Sequence, residues 1–256
     1  MATLNEIVSY SNQLLKIQSF KDYAPNGLQV EGNPHVKHIV SGVTASLEFI
    51  EAAKQVQADA ILVHHGYFWR NENPEIVGIK YRRIKALIDA NISLLAYHLP
   101  LDAHPKLGNN AQLAHYLGIN IEGVMNSQGI GNIGSFEQAY DLDSLSTKIT
   151  SVLDHKPLVI SGGKHTIKRI AWCTGGAQSY IEAAVELGAD AFISGEISES
   201  TIHIAREAGI HYFAAGHHAT ERYGVMALGE HLQKKFNIKH SFIDCGGISY
   251  QQMLQL

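Results

Sequence analysis

The sequence predicts an α/β fold made of two similar halves, each with a mixed sheet covered by helices, and three observations support this. Short apolar strands alternate with amphipathic helices, which is typical of a sheet with covering helices. The segments IEAAKQVQADA (50–60) and IEAAVELGADA (181–191) agree at seven of 11 positions. The strand after each segment ends in polar residues, at His64-His65 and at Gly195-Glu196. An internal duplication explains these matches together.

The first half begins with a helix that its cap identifies. Thr3-Leu-Asn-Glu6 has the form of a capping box, and apolar residues follow at helical spacing, so we expect a helix over 3–18. The loop DYAPNGLQVEG (22–32) is rich in turn formers. After it we predict a strand at 38–44, a helix at 46–58, a strand at 59–65, a helix at 82–91, a strand at 92–98 and a helix at 109–118.

The second half is expected to repeat this order. A strand ends in a small-residue turn both at 39–46 and at 170–178, and two helices later each half has a further strand. That strand is followed by a histidine four residues before a carboxylate, as His98 and Asp102 or as His217 and Glu221. We therefore expect a first α/β half at 1–120 and a second at 169–256. Between them lies a junction segment at 121–168 whose fold the pattern does not define.

Composition and charge exclude several classes of protein. With 45% hydrophobic and 17% charged residues, the chain of 256 residues is predicted to be globular and soluble. A net charge of −4 without a Lys/Arg run argues against an extended nucleic-acid surface. The sequence shows no signal pattern and no apolar run long enough to cross a membrane. Its two cysteines do not form a CxxC pair, so we expect a cytoplasmic protein.

Metal-binding residue types cluster directly after the predicted strands. Such residues meet at the carboxyl ends of strands in alternating α/β folds, where ligands bind. The predicted ligands are His64, His65, Asp102, His217 and Glu221, with His98, His218 and Glu196 close by. Imidazoles and carboxylates without thiolates suit Zn, Mn, Fe, Co or Ni. Five ligands exceed one tetrahedral shell, so we predict two metal ions, bridged by a carboxylate and lying between the halves.

Each of these features also has a purely structural interpretation. A lone His-His pair is more often a surface or core feature than a metal site. TGG (174–176) could cradle a phosphate, but a tight turn is the preferred interpretation. Tyr67, Phe68 and Trp69 could stack on a base, although packing beside the strand is favoured. The histidines outside the clusters are predicted to be surface residues: His35, His38, His115, His155, His165, His231 and His240.

Seven segments carry a resemblance that spans most of the chain. They are DYAPNGLQVEG, SGVTAS, VHHGYFW, HLPLDAHPKLGNNAQLA, AWCTGGAQSYIEAA, ISGEISE and AAGHHATER. They resemble segments of the GTP cyclohydrolase I type 2 family, in particular its YbgI-like branch. The resemblance implies a cytoplasmic, toroid-like homohexamer with a dinuclear metal centre. It also implies that His64, His65, Asp102, His217 and Glu221 are the metal ligands, with Glu221 as the bridge.

The same resemblance implies hydrolysis of the guanine imidazole ring of GTP through a metal-activated water. The cofactor would be two divalent metal ions per chain, and the substrate a small molecule of the nucleotide class. His98 is the candidate for proton transfer, or for a supporting role beside the ligands. Two alternatives remain open. One is a metal-dependent hydrolase of another nucleotide, a damaged nucleotide or a phosphoester, and the other is a non-enzymatic, metal-binding hexameric scaffold.

Overall fold

Strands and helices alternate along the chain in the computed structural model, which describes residues 2–246. The described residues form two units. Unit 1 comprises residues 2–108 and 224–245, and unit 2 comprises residues 109–223 with residue 246. These boundaries differ from the sequence-based ones, since segment 121–168 belongs to unit 2 and the chain returns to unit 1 at residue 224. Residues 247–256 of the predicted second half lie outside the described residues.

The elements of unit 1 up to residue 108 are β1 (Ala2–Thr3), α1 (Leu4–Leu14), β2 (Gly27–Val30), β3 (His35–Val36), β4 (His38–Thr44), α2 (Leu47–Gln55), β5 (Ala60–His65), α3 (Gly78–Asp89), β6 (Ser93–Ala96) and α4 (Leu99–Ala103). The elements that follow are α5 (Asn109–Leu117), β7 (Asn120–Val124), β8 (Asn132–Tyr140), α6 (Leu142–Leu153), β9 (Leu158–Ile160), β10 (Ile167–Cys173), α7 (Ile181–Glu186), β11 (Ala191–Ser194), α8 (Glu199–Ala208), β12 (His211–Ala214), α9 (His217–Phe236) and β13 (Lys239–Phe242). Helix α9 begins in unit 2 and ends in unit 1. No helix among the described residues combines the length and the apolar character needed to cross a membrane.

The sheet of unit 1 has the strand order β13-β4-β5-β6-β2. Strand β5 is parallel to β4 and β6, whereas the edge strand β2 is antiparallel. Alternation along β5 divides its side chains between two faces. Ala60 and Leu62 pack in the core that includes α1, while Ile61 and Val63 pack in the core that includes α2. Because both faces are covered, the strand is apolar until it reaches His64.

The sheet of unit 2 has the order β7-β8-β10-β11-β12-β9 and repeats the same central arrangement. Strands β10, β11 and β12 are parallel, are separated by helices α7 and α8, and have the antiparallel strand β9 at one edge. The predicted α/β class with mixed sheets is thereby confirmed. The segment that the sequence left undefined supplies β7, β8, α6 and β9. Helix α6 places Leu145, Ile149 and Leu153 on the core beside Trp172.

The capping box predicted for the first helix is present. The Thr3 hydroxyl accepts the Glu6 N–H at 3.2 Å, and the Glu6 carboxylate accepts the Thr3 N–H at 2.9 Å. The helix ends at Leu14 rather than at residue 18. Lys16 takes a left-handed backbone conformation with φ of 50°, and a 3-10 turn, Ile17–Ser19, follows it.

Two histidines predicted to lie on the surface are covered to different extents in unit 1, since His38 is buried and His240 is partly buried. His38 on β4 is 5% exposed, and its Nε2 lies 3.0 Å from the Ser241 hydroxyl on β13. His240, also on β13, lies 2.7 Å from the Ser41 hydroxyl through its Nε2. The surface prediction was therefore wrong at His38, because the pairing of β4 with β13 covers its ring. No periodic signal in the sequence marked that pairing.

We predict that this histidine pair makes unit 1 acid-sensitive. Burial, followed by the charge of His38, lowers the pKa of His240 from 6.5 to about 4. The unfolded chain therefore binds more protons than the folded chain in this range. The contribution of His240 is complete above pH 6.5 and is lost as the pH falls from 6.5 towards about 4. Urea unfolding of His240→Gln should show a weaker loss of stability over this range than the unaltered protein.

The exposed His35 offers a matched control, because His35→Gln removes an imidazole from the same unit without removing a buried one. His35→Gln should keep the full pH dependence of the unfolding free energy. If His240→Gln and His35→Gln gave the same pH dependence as the unaltered protein, burial of the His240 ring would not be the source of acid sensitivity.

Candidate metal centre

The two adjacent histidines of the sequence stand at the carboxyl end of β5. His64 is fully buried and His65 is partly buried. Successive side chains on a strand point to opposite faces, yet the two ring centroids lie only 4.7 Å apart because the strand ends here. A Cβ at Gly66 would lie 2.2 Å from the Gln29 Oε1. Glycine at this position thus permits the close approach of Gln29 as the chain leaves the strand.

The backbone fixes the orientation of the His64 ring. Its Nδ1 donates to the Tyr97 carbonyl oxygen at 2.9 Å, so the neutral ring carries its lone pair on Nε2. That Nε2 lies 3.5 Å from the Asp102 Oδ1, and the Asp102 side chain is only 8% exposed. A nitrogen lone pair and a carboxylate oxygen both accept, so either a proton or a metal ion between them stabilises the arrangement.

His98 is the third imidazole of unit 1's group. It follows β6 and precedes α4, and its ring centroid lies 5.1 Å from that of His64 and 5.8 Å from that of His65. Ligand atoms of the three rings lie within 4.8 Å of one another, so the group could hold a metal ion. The His65 Nδ1 also lies 3.3 Å from the Thr44 hydroxyl on the neighbouring strand.

Asp22 is a functional candidate that the sequence did not reveal. Its Oδ1 lies 2.7 Å from the His98 Nδ1, and its side chain is 5% exposed. Burial raises the pKa of Asp22, but the hydrogen bond and charge of His98, aided by hydrogen bonds from Asn26 and Tyr23, outweigh burial and hold that pKa below 3.8. The side chain is thus a carboxylate. It lies in an irregular loop 76 residues before His98, where no spacing rule could connect the two.

The group in unit 2 is built on the first turns of α9. The His217 Nδ1 lies 2.7 Å from the Glu196 Oε1, and its Nε2 lies 3.1 Å from the Glu221 Oε2. The four-residue spacing on one helix face produces the second contact, as the sequence predicts. Glu221 is 3% exposed. His218 is partly buried. Among the residues that the structure describes, it does not belong to any cluster that could hold a metal ion.

The carboxylates of Glu196 and Glu221 favour the protonated, positively charged form of the His217 ring. Burial lowers the pKa of His217, but the hydrogen bonds and charges of Glu221 and Glu196 outweigh burial and raise the pKa from 6.5 to about 9. The metal-free ring therefore holds a second proton at neutral pH. A divalent ion bound at Nε2 would displace that proton, because only a deprotonated nitrogen can be a ligand.

The TGG turn after β10 makes room for the acidic side chain. Gly175 has a φ of 70°, and a Cβ there would lie 2.1 Å from the Glu221 Oε1 and 3.2 Å from the His217 Nε2. The preferred interpretation of TGG as a tight turn therefore agrees with the geometry, and the turn has a second role. Any side chain larger than hydrogen would displace the Glu221 carboxylate.

The donor atoms of both groups fit a transition-metal ion. Imidazole nitrogens and carboxylate oxygens, without thiolates, suit Zn, Mn, Fe, Co or Ni. The predicted ligands divide between the units: His64, His65 and Asp102 lie in unit 1, while His217 and Glu221 lie in unit 2. Within each unit an imidazole nitrogen faces a carboxylate oxygen at 3.5 Å or less. Each unit can thus contribute both types of ligand.

Comparison with known proteins places the chain in a family. The model of the DUF34/NIF3 (NGG1p interacting factor 3) family matches residues 2–246. A Pseudomonas aeruginosa protein named GTP cyclohydrolase 1 type 2 homolog is 52% identical over 245 residues, which cover 94% of this chain and 97% of that protein.

Solved structures agree with this assignment. The structure of protein ybgI, described as of unknown function, is 47% identical with a TM-score of 0.93 and covers 96% of this chain and 99% of its own. TTHA1606 from Thermus thermophilus is 33% identical with a TM-score of 0.89, with the same coverage of both chains. The expected resemblance is thus confirmed, and the chain belongs to the DUF34/NIF3 family.

Proposed function

We propose that this protein is a metal-dependent hydrolase that opens the guanine imidazole ring of GTP. The observation that carries the proposal is that an imidazole nitrogen faces a buried carboxylate oxygen in each unit, as His64 with Asp102 at 3.5 Å and as His217 with Glu221 at 3.1 Å. The name of the Pseudomonas relative, GTP cyclohydrolase 1 type 2 homolog, supports the choice of reaction. The resemblance seen in the sequence supports two ions held by His64, His65, Asp102, His217 and Glu221.

Different side chains would have different tasks in this reaction. A bound divalent metal ion lowers the pKa of a coordinated water towards about 7. His64 and His217 have one ring nitrogen held by Tyr97 or Glu196, which leaves Nε2 of each ring to serve as a ligand. His98 would accept a proton at Nε2 as one water adds at C8 and the imidazole ring opens to a formamide, and a second water would then hydrolyse the formamide to release formate. We propose from the resemblance that the chain assembles as a homohexamer, which sedimentation analysis would test.

The central experiment is metal-resolved turnover. Protein purified without added metal is analysed for bound metals per chain, then reconstituted with Zn, Mn, Fe or Co and incubated with GTP and other nucleotides. We expect about two ions per chain and metal-dependent release of formate from GTP. Glu221→Gln, which keeps the size of the side chain but removes its charge, should lower both metal content and formate release. Glu182→Gln, on the exposed face of α7, is the matched control and should change neither.

The outcomes separate the alternatives. Release of phosphate or base instead of formate would indicate a hydrolase of another nucleotide or of a phosphoester. Two ions per chain without turnover of any nucleotide would indicate the metal-binding scaffold. Protein that binds no metal under any of these conditions would contradict the site itself.

We predict a specific role for the glycine of the TGG turn. Gly175→Ala should displace the Glu221 carboxylate and so lower the metal content, in addition to the cost of a side chain at positive φ. Gly188→Ala is a matched control, because Gly188 has a φ of 69° but a Cβ there meets nothing within 4 Å. Metal analysis and thermal unfolding compare the two variants. Equal metal content in both would mean that the Gly175 contact does not govern Glu221.

We also predict that His98 serves the reaction rather than metal retention. His98→Gln should reduce turnover by about 100-fold or more, the usual effect of losing a general base, while metals per chain stay unchanged. His115→Gln removes an exposed imidazole and should leave turnover intact. Unchanged turnover in His98→Gln would exclude proton transfer by this ring. A loss of metal in the same variant would instead identify His98 as a ligand.

A further inference from the structure

The Asp22 carboxylate gathers four N–H donors from three elements of the chain. Its Oδ1 accepts the Tyr23 N–H at 2.6 Å and the His98 Nδ1–H at 2.7 Å. Its Oδ2 accepts an N–H of the Asn26 amide at 2.8 Å and the Leu99 N–H at 3.0 Å. The two backbone N–H groups can only donate, and the Asn26 amide presents its NH2 group because its oxygen accepts the His98 N–H. The site therefore requires an ionised carboxylate, and a carboxamide would set one NH2 against two N–H donors.

His98 is held from several directions. Its backbone N–H donates to the Asn26 Oδ1 at 2.7 Å, so the loop that carries Asp22 binds both its main chain and its ring. The Trp69 ring packs edge-on against the His98 ring with centroids 5.0 Å apart, and the Tyr23 ring packs edge-on at 6.4 Å. These contacts restrict rotation of the imidazole about its side-chain bonds.

The protonation of one nitrogen decides the state of the other. Since Asp22 is ionised and only accepts, the His98 nitrogen facing it is Nδ1–H. In the neutral ring Nε2 then carries the lone pair. This second nitrogen is the one left to face the ligand atoms of His64 and His65, which belong to the same group.

We propose that Asp22 is a positioning residue that fixes His98 in the Nδ1–H tautomer and so presents the Nε2 lone pair to the metal-binding group. The orientation of His98 follows from contacts within unit 1 alone. Its consequence for turnover rests on the proposed hydrolase function. Asp22 is hydrogen-bonded to the His98 ring and acts through it.

Neutron diffraction from metal-free crystals at mildly alkaline pH tests the orientation directly. We expect a hydrogen on His98 Nδ1 and none on Nε2. A hydrogen on Nε2, either alone or together with one on Nδ1, would overturn the proposal. The measurement requires neither a variant nor turnover, so it remains decisive if Asp22 variants do not fold.

Two variants test the role of the carboxylate. In Asp22→Asn the new NH2 group favours an acceptor at His98 Nδ1, so the hydrogen should move to Nε2. Asp59→Asn is the matched control, because Asp59 accepts the backbone N–H groups of Lys37 and His38 in the same unit, whereas the carboxylate bonded to the His98 ring is that of Asp22. It should leave the tautomer of His98 unchanged. An unchanged tautomer in Asp22→Asn would contradict the proposal.

Kinetics test the consequence for the reaction. Asp22→Asn should lower kcat by about 10- to 100-fold with little change in KM, which is the usual effect of removing a carboxylate behind a functional histidine. Asp22→Glu should restore part of this loss. The double variant Asp22→Asn with His98→Gln should be no slower than His98→Gln alone, whereas multiplied losses would show that Asp22 acts elsewhere. If the unaltered protein turned over no nucleotide, the hydrolase proposal would fail while the neutron result still decided the role of Asp22.

Discussion

The pairing of an imidazole nitrogen with a buried carboxylate oxygen is the interaction on which the candidate site depends. It occurs as His64 with Asp102 in unit 1 and as His217 with Glu221 in unit 2. Asp102 is 6% exposed and Glu221 is 3% exposed. A carboxylate removed from water is costly unless a cation or several donors compensate it. Each pair is therefore stable only with a positive charge in it, which either a proton or a metal ion can supply.

This requirement links metal binding to the stability of the fold. The high pKa of His217 shows that a proton fills the role when metal is absent. A metal ion that displaced the proton would bind the folded chain, in which the rings of the proposed ligands His64 and His217 are already oriented by Tyr97 and Glu196. Because such preformed sites do not exist in the unfolded chain, binding stabilises the folded state. The backbone contacts that orient each ring are thus part of the affinity for the ion.

Sequence reasoning succeeded where the signal was local. The strand predicted at 38–44 is β4 without change, and the capping box of Thr3 and Glu6 forms as expected. Periodicity also placed His64 and His65 at a strand end. It failed where a partner is distant in the chain: Asp22 lies in an irregular loop, and His38 is covered in part by β13, which lies near the end of the described chain and pairs with β4. The return of the chain to unit 1 along α9 likewise has no local signal in the sequence.

The two units share a central arrangement of three parallel strands with an antiparallel strand beside them, but they divide the chemistry differently. The strand ends of β5 and β11 correspond, yet the first delivers two histidines and the second delivers Glu196. Glu196 accepts from His217 Nδ1, just as Asp22 accepts from His98 Nδ1. The corresponding histidines, one after β6 and one after β12, therefore each have a carboxylate behind the ring, although the two carboxylates come from unrelated places in the chain. The contact between an imidazole ring and a carboxylate recurs in both units, whereas the two carboxylates come from different positions in the sequence. A fixed orientation of the imidazole ring is therefore the feature that the two units share.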